Sequence, residues 1–187
     1  MIIEDGQGTG NKAGVSTTGL LQAEVKTHSD AFYENLNNKS AYIMELPAVI
    51  LGSSWVWAAI KNTDDKDLVI VRCVLWVATA KSGDFVSAYT RGTFTYATNG
   101  TSATPSQCNS GTALSASGSF YYNDAVGDMT TIGAGQACGT VLLNTAPQEF
   151  CVTARWVVPK NQTWYLKSEL SNDNTYKGYI EFYYHNS

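Results

Sequence analysis

The chain has 187 residues, with 12 Lys+Arg against 16 Asp+Glu, a formal net charge of −4, 44% hydrophobic residues and only 15% charged. That length fits one domain, or one domain with a short appendage, and a single core of this size buries about 70% of the unfolded surface without a metal or disulfide staple. The composition excludes a disordered chain, and a net negative charge with scattered Lys and Arg suits neither phosphate backbones nor nucleic acid as a partner.

The first segment, 1–19, differs from the rest. Asp5-Gly6-Gln7-Gly8-Thr9-Gly10-Asn11-Lys12-Ala13-Gly14 carries four glycines, too few apolar groups to pack itself, and loses much backbone entropy on ordering. It is expected as an extended arm that a partner orders by strand addition. In that arm Ile2 and Ile3 are the apolar anchors, Glu4 and Asp5 set the polar register, and Gly6, Gly8 and Gly10 complete the partner-binding segment. A frayed terminus is the plainer alternative. The glycine spacing is not a dinucleotide loop, because only Ile2-Ile3 precedes it and Val15-Ser16-Thr17-Thr18 follows where that fingerprint needs a buried strand and a helix. The opening residues also lack the basic region and apolar stretch of a secretory signal. No apolar run approaches the roughly 20 residues that span a bilayer, so no membrane partner is expected.

The rest, 20–187, reads as a single β domain. A short helical turn is expected over 29–36, with Ser29 as its cap. Strands are expected over 40–46, over 54–60 and over 68–78, the last a near-continuous apolar run rich in β-branched residues that fits a buried central strand. Residues 85–96 form the next strand. Residues 99–119, rich in Gly, Ser and Thr, form a long excursion with one short pairing. Strands then follow at 120–122, 141–143, 149–158, 163–170 and 177–185, separated by turns such as Pro159-Lys160-Asn161-Gln162. Eight to ten short strands with long polar connections predict an all-β antiparallel sandwich, and the crossing connections favour a jelly roll.

Trp55 and Trp57 fall on one face of one strand; with Trp76 they fit either the sandwich core or a subunit interface. The terminal Phe182-Tyr183-Tyr184 poses the same choice, with alternation placing Tyr183 opposite its neighbours. Cys73 and Cys151 read as strand positions in the core. Cys108 and Cys138 lie in polar, Gly-rich stretches, where free thiols are the default and a disulfide is the alternative. His28 and His185 sit near opposite ends of the chain with no local nucleophile or ligand, so no catalytic histidine is expected. The acidic groups Asp64, Asp65, Asp67 and Asp124, Asp128 lack the calcium-loop pattern and read as solvated turns, so no metal or other cofactor is expected. Tyr121-Tyr122 fits sheet packing, with stacking on sugar rings as the alternative. No catalytic residue is singled out.

Ile3-Glu4-Asp5-Gly6-Gln7-Gly8-Thr9-Gly10-Asn11-Lys12-Ala13-Gly14-Val15 followed by Gly19-Leu20-Leu21 resembles the N-terminus of small jelly-roll structural proteins of tailed bacteriophages. Gly100-Thr101-Ser102-Ala103-Thr104-Pro105, Asn109-Ser110-Gly111-Thr112-Ala113 and Val157-Val158-Pro159-Lys160-Asn161-Gln162-Thr163-Trp164 resemble later parts of the same proteins. The four cysteines and five tryptophans depart from that pattern. The resemblance implies a non-enzymatic virion protein, made in the host bacterial cytoplasm and placed on the capsid surface. It further implies a homotrimer that decorates or cements a lattice of major capsid protein and touches other virion structural proteins. The alternatives are a neck, tail or fibre component, including a host-binding tip, and a carbohydrate-binding module or small glycan-active enzyme on a sandwich scaffold.

Overall fold

The computed structural model describes residues 2–4, 12–15, 21–22, 30–79, 84–90, 100–111, 114–124, 129, 135–150, 156–170 and 174–185. Three short strands come first. These are β1 (Ile2–Glu4), β2 (Lys12–Val15) and β3 (Leu21–Gln22), paired antiparallel in that order with Ile2 opposite Gly14 and Ile3 opposite Ala13. Asp5, Gly6, Gly8 and Gly10 lie outside the described residues. One helical turn, α1 (Asp30–Tyr33), then runs into a π-helical segment (Glu34–Asn38). It stops where Lys39 takes left-handed backbone, φ 54°, so the helical stretch runs past its expected end at 36 and widens into a π turn, while Ser29, the expected cap, lies outside the described residues.

Among the described residues twelve more strands follow: β4 (Ala41–Ile50), β5 (Val56–Asn62), β6 (Asp67–Val77), β7 (Phe85–Thr90), β8 (Thr101–Ser102), β9 (Ser106–Gln107), β10 (Gly118–Tyr122), β11 (Gln136–Leu142), β12 (Gln148–Phe150), β13 (Trp156–Val158), β14 (Thr163–Leu170) and β15 (Thr175–His185). They make two antiparallel sheets packed face to face. Sheet I runs β12-β6-β15-β4-β9, with β13 beside β12 on the same edge of β6; sheet II runs β11-β7-β14-β5-β10-β8. Set aside β8 to β10 and count β12 with β13 as one, and eight principal strands remain. The first pairs with the eighth, the second with the seventh, the third with the sixth and the fourth with the fifth. That folded-over order is a jelly roll, as the sequence led us to expect.

The excursion between β7 and β11 does more than expected. Besides β10, expected at 120–122, it carries two short strands where one pairing was expected over 99–119: β9 pairs with β4, while β8 pairs with β10 and β10 with β5. The insertion therefore crosses to the far flank of the sandwich and covers one edge of each sheet. The expected strand over 149–158 appears as β12 and β13, both on β6. Pro47 lies inside β4, where the expected strand had ended. A register shift opposite it, between Tyr176 and Gly178 of β15, lets the pairing resume at Val49.

Between the sheets lies one large core. From β6, Leu68, Ile70, Cys73, Leu75 and Val77 point into it, and Phe182 of β15 stacks on Tyr42 and on Phe120. β14 and β5 lose register between Leu166 and Lys167, which lets both Trp57 and Ala58 turn inward. Trp57 is fully buried and meets Tyr176 edge-on, and Trp55 packs partly against the same core. Core packing is thus the outcome for both. Phe182 and Tyr184 also join the core, whereas Tyr183 faces outward with Ala41 and Val69 under Ala31 of α1.

Candidate interaction surface

The groups that most often carry chemistry are engaged structurally. Asp64 caps its own turn, its Oδ1 accepting from the Lys66 N–H at 3.0 Å, and Asp65 pairs with Lys160. Asp124 accepts from the Thr101 hydroxyl. Among the described residues, no three His, Cys, Asp or Glu side chains gather in a metal-binding group; Asp128, His28 and Cys151 lie outside those residues. Cys73 is buried in the core, and Cys108 and Cys138 are free thiols rather than a disulfide. The topology separates them: Cys108 follows β9 on the β4 flank, and Cys138 belongs to β11 on the opposite flank. Burial raises the pKa of both, which holds them as thiols at neutral pH.

Two engaged carboxylates escaped the sequence reading. Glu34, buried, accepts from Ser40 Oγ at 3.2 Å and from Asn38, and its Oε1 lies 3.0 Å from His185 Nδ1. Asp84, fully buried, accepts from Tyr176 Oη and from Asn174 Nδ2, each at 3.1 Å. Both contacts join positions about 90 or more apart in the chain, so no local pattern announces them.

The outer face of sheet II is the most distinctive surface. Pairing register aligns Tyr121, Ala59, Tyr165 and Tyr89 in one row across β10, β5, β14 and β7. Tyr89 and Tyr165 stack in parallel with centroids 4.8 Å apart, and Lys167 Nζ lies 5.6 Å from the Tyr89 ring centre. Glu169 accepts from the Tyr89 hydroxyl and from Lys167. Burial acts to raise the Glu169 pKa, but those hydrogen bonds outweigh it and hold the carboxyl below its ordinary range. Burial, reinforced by Glu169, pushes the Tyr89 hydroxyl up. Tyr121 and Tyr122 point to opposite faces, Tyr122 packing on the core, so the pair offers no joint platform for a sugar ring.

One step further along the same face, the register places Leu142 of β11, Phe85 of β7 and Leu170 of β14 in a row. They are 52%, 36% and 47% exposed. Three large apolar side chains in line on three adjacent strands form a patch, not scattered exposure. Asp84, locked by Asn174 and Tyr176, fixes the backbone just before Phe85 and accepts the Leu143 N–H at 2.8 Å through its carbonyl. The row therefore sits on a rigid base. A second apolar group, Phe32, Tyr33 and Leu36, stands exposed on the short helix, beside a groove of about 190 Å³ bordered by Ile43, Val71 and Cys108. At the end of the sandwich a cavity of about 470 Å³ is bordered by Thr90, Val157, Val158, Pro159, Gln162 and Thr163. None of those six titrates near neutral pH.

Of the arm residues singled out from sequence, Ile2, Ile3 and Glu4 lie in β1, opposite Gly14, Ala13 and Lys12. The row of Leu142, Phe85 and Leu170 was missed because its members come from three strands that only the topology brings together. No protein-family model matches the chain, and no curated protein or solved structure matches it either.

Proposed function

We propose that this chain is a non-enzymatic structural protein of a tailed-bacteriophage virion, a capsid decoration or cement protein. In this reading it binds the lattice of major capsid protein and works as a homo-oligomer. The observation that carries the adhesive part of the reading is the exposed row Leu142–Phe85–Leu170 on a rigid sheet face. The virion part rests on the resemblance of residues 3–15 to the arm of such proteins.

The mechanism is shared burial. A standard contact buries about 1,600 Å² in total, and repetition over a lattice multiplies contacts that are individually weak. A jelly roll suits the task because each of its sheets pairs strands from distant parts of the chain. The arm adds reach: apolar Ile2 and Ile3 gain order against a neighbour's surface.

Binding to purified expanded capsids tests the reading. Saturable binding in lattice-matched stoichiometry, weakened by deletion of residues 1–19, is the expected result. Copy number per particle by quantitative mass spectrometry separates it from a neck, tail or fibre part, which occurs in few copies. Release of reducing sugar from a host polysaccharide by the purified protein would overturn it.

A further inference from the structure

We propose that β11 is a self-association edge, where a second copy of this chain adds its own β11 antiparallel to extend sheet II, with Leu142 covered at the seam. The inference deepens the assembly reading above, resting on its homo-oligomeric part and not on which particle the protein joins.

The two sheets of the sandwich have four edges. An unpaired strand edge is a template for further pairing, and folded proteins blunt it with short strands, charge or cover. Three of the edges here are blunted. β8 and β9 are two residues long, and on the third edge the described strands β12 and β13 are three residues each, with Glu149 of β12 exposed. β11 is the exception: it is seven residues, Gln136–Leu142, and no described strand pairs with its outer side. It contains no charged residue and no proline. A register shift between Ala137 and Gly139 interrupts its inner pairing, yet Gly139 to Leu142 run in unbroken register with Ala88 to Phe85. Four regular residues ending in an exposed leucine are thus left open.

Charge selects the occupant. From Gly92 to Gln148 the chain carries only two charged residues, Asp124 and Asp128, although 12 basic and 16 acidic residues are spread over the whole. Two copies of a chain with net charge −4 repel each other over most of their surfaces, and like charges directly opposite across a strand pair destabilise it. On β11 that repulsion is absent. A partner recognised through charge finds nothing there to recognise, whereas a second neutral, apolar edge fits. Antiparallel pairing of a strand with its own copy is isologous, so the contact closes as a two-fold dimer and does not propagate into a fibre. Leu142 ends the apolar row on this same edge, so the seam covers that end of the row as it forms.

The full-length chain tests this directly by sedimentation velocity over a wide concentration range, with amide hydrogen exchange read on the same samples. The expected result is a reversible dimer whose exchange at 136–142 slows as dimer fills. Thr140→Lys and Leu142→Lys should each weaken association about tenfold or more. Ser106→Lys, on the blunted β9 edge, should leave it unchanged, with circular dichroism confirming that all three variants fold. A monomer at every concentration overturns the proposal. So does an oligomer, trimeric or otherwise, whose exchange at 136–142 equals that of the monomer, or whose association survives both lysine substitutions. Capsid binding run alongside separates the two readings: a chain that decorates capsids while showing no protection at 136–142 sinks the β11 contact alone. A β11 dimer that ignores capsids sinks the virion role alone.

Discussion

Asn62 and Val158 join the two sheets: Nδ2 of Asn62, at the end of β5 in sheet II, donates to the carbonyl of Val158, in β13 of sheet I, at 2.8 Å. The same amide donates to the Lys66 carbonyl at 2.8 Å, and its Oδ1 accepts the Asp64 N–H at 2.9 Å. Asn62 is fully buried, and its bond to Val158 is made away from water, where an unmet partner carries its full desolvation cost. Asn62→Ala should therefore lower unfolding free energy by about 2–3 kcal/mol, measured by chemical denaturation. Asn62→Asp should also destabilise, because a carboxylate has no hydrogen to offer Val158. An unchanged midpoint in both would remove the bridging role.

The contact between Glu34 and His185 ties the short helical segment to the end of β15. Glu34 is the inner partner, with its side chain 5% exposed against 55% for His185. Removing the carboxylate strips acceptors from Ser40 and Asn38 as well as from the imidazole. Glu34→Ala should cost about 1–3 kcal/mol, while His185→Ala, losing only an exposed partner, should cost under about 1 kcal/mol. The exposed group Phe32, Tyr33 and Leu36 is carried by the same segment. Proteolytic nicking there should consequently rise in the Glu34 variant and stay near wild type in the His185 variant.

Legibility in the sequence follows the range of the interactions. β14 was readable to its ends because Trp164, Leu166 and Ser168 alternate inward against Tyr165, Lys167 and Glu169. β6 was readable as a central strand because apolar residues fill both of its faces: Leu75 reaches the core while Val69 lies under α1. β11 was mostly missed, since Ala137 and Gly139 have weak β signals and are held by pairing with β7. β8 and β9 were undercounted for the same reason: a two-residue strand such as Ser106–Gln107 takes its order from pairing with Ile43 and Tyr42, which are distant in the chain. Bulges were invisible. Nothing around Trp57-Ala58 says that both residues face inward, because that is decided by β14. The surface row on sheet II lies at the far end of this scale, since it exists only once β7, β11 and β14 are side by side.

Gly178 shows how such a bulge constrains composition. It lies where β15 shifts register against β4, and a Cβ placed there would stand 2.7 Å from the Val74 carbonyl oxygen and 2.8 Å from Leu75 Cδ2. The first neighbour is backbone in the central strand of sheet I and has no rotamer by which to retreat. Gly178→Ala should cost about 1–3 kcal/mol through overpacking. Gly139→Ala meets only the Phe150 ring, at 3.0 Å, and a side chain yields more cheaply than a strand. Its loss should be the smaller of the two in parallel thermal melts; the reverse order would place the strain at β11 instead.

The cluster of Tyr89, Lys167 and Glu169 on sheet II gives stability a signature at each end of the pH scale. The folded pKa of Glu169 lies below its unfolded value, because hydrogen bonds from Tyr89 and Lys167 outweigh burial. The unfolded chain therefore takes up the proton first as pH falls. The carboxylate's contribution is complete above its ordinary pKa of about 4.5 and is lost as pH drops through the lower folded value. Tyr89 and Tyr165 also ionise to anions, but their pKa values are shifted in the opposite direction. Burial raises both hydroxyls in the folded state, so their contribution is complete below about pH 10 and is lost as pH climbs toward the folded values. Glu169→Gln should then be less stable than wild type at neutral pH and show a shallower loss below about pH 4.5. Tyr89→Phe should flatten the alkaline limb and part of the acid limb, since it removes a bond from each side of the pair. Urea midpoints taken across pH, with tyrosinate absorbance followed at the alkaline end, decide the matter. Parallel pH profiles for wild type and both variants would show that the cluster, although ordered, is not coupled to folding.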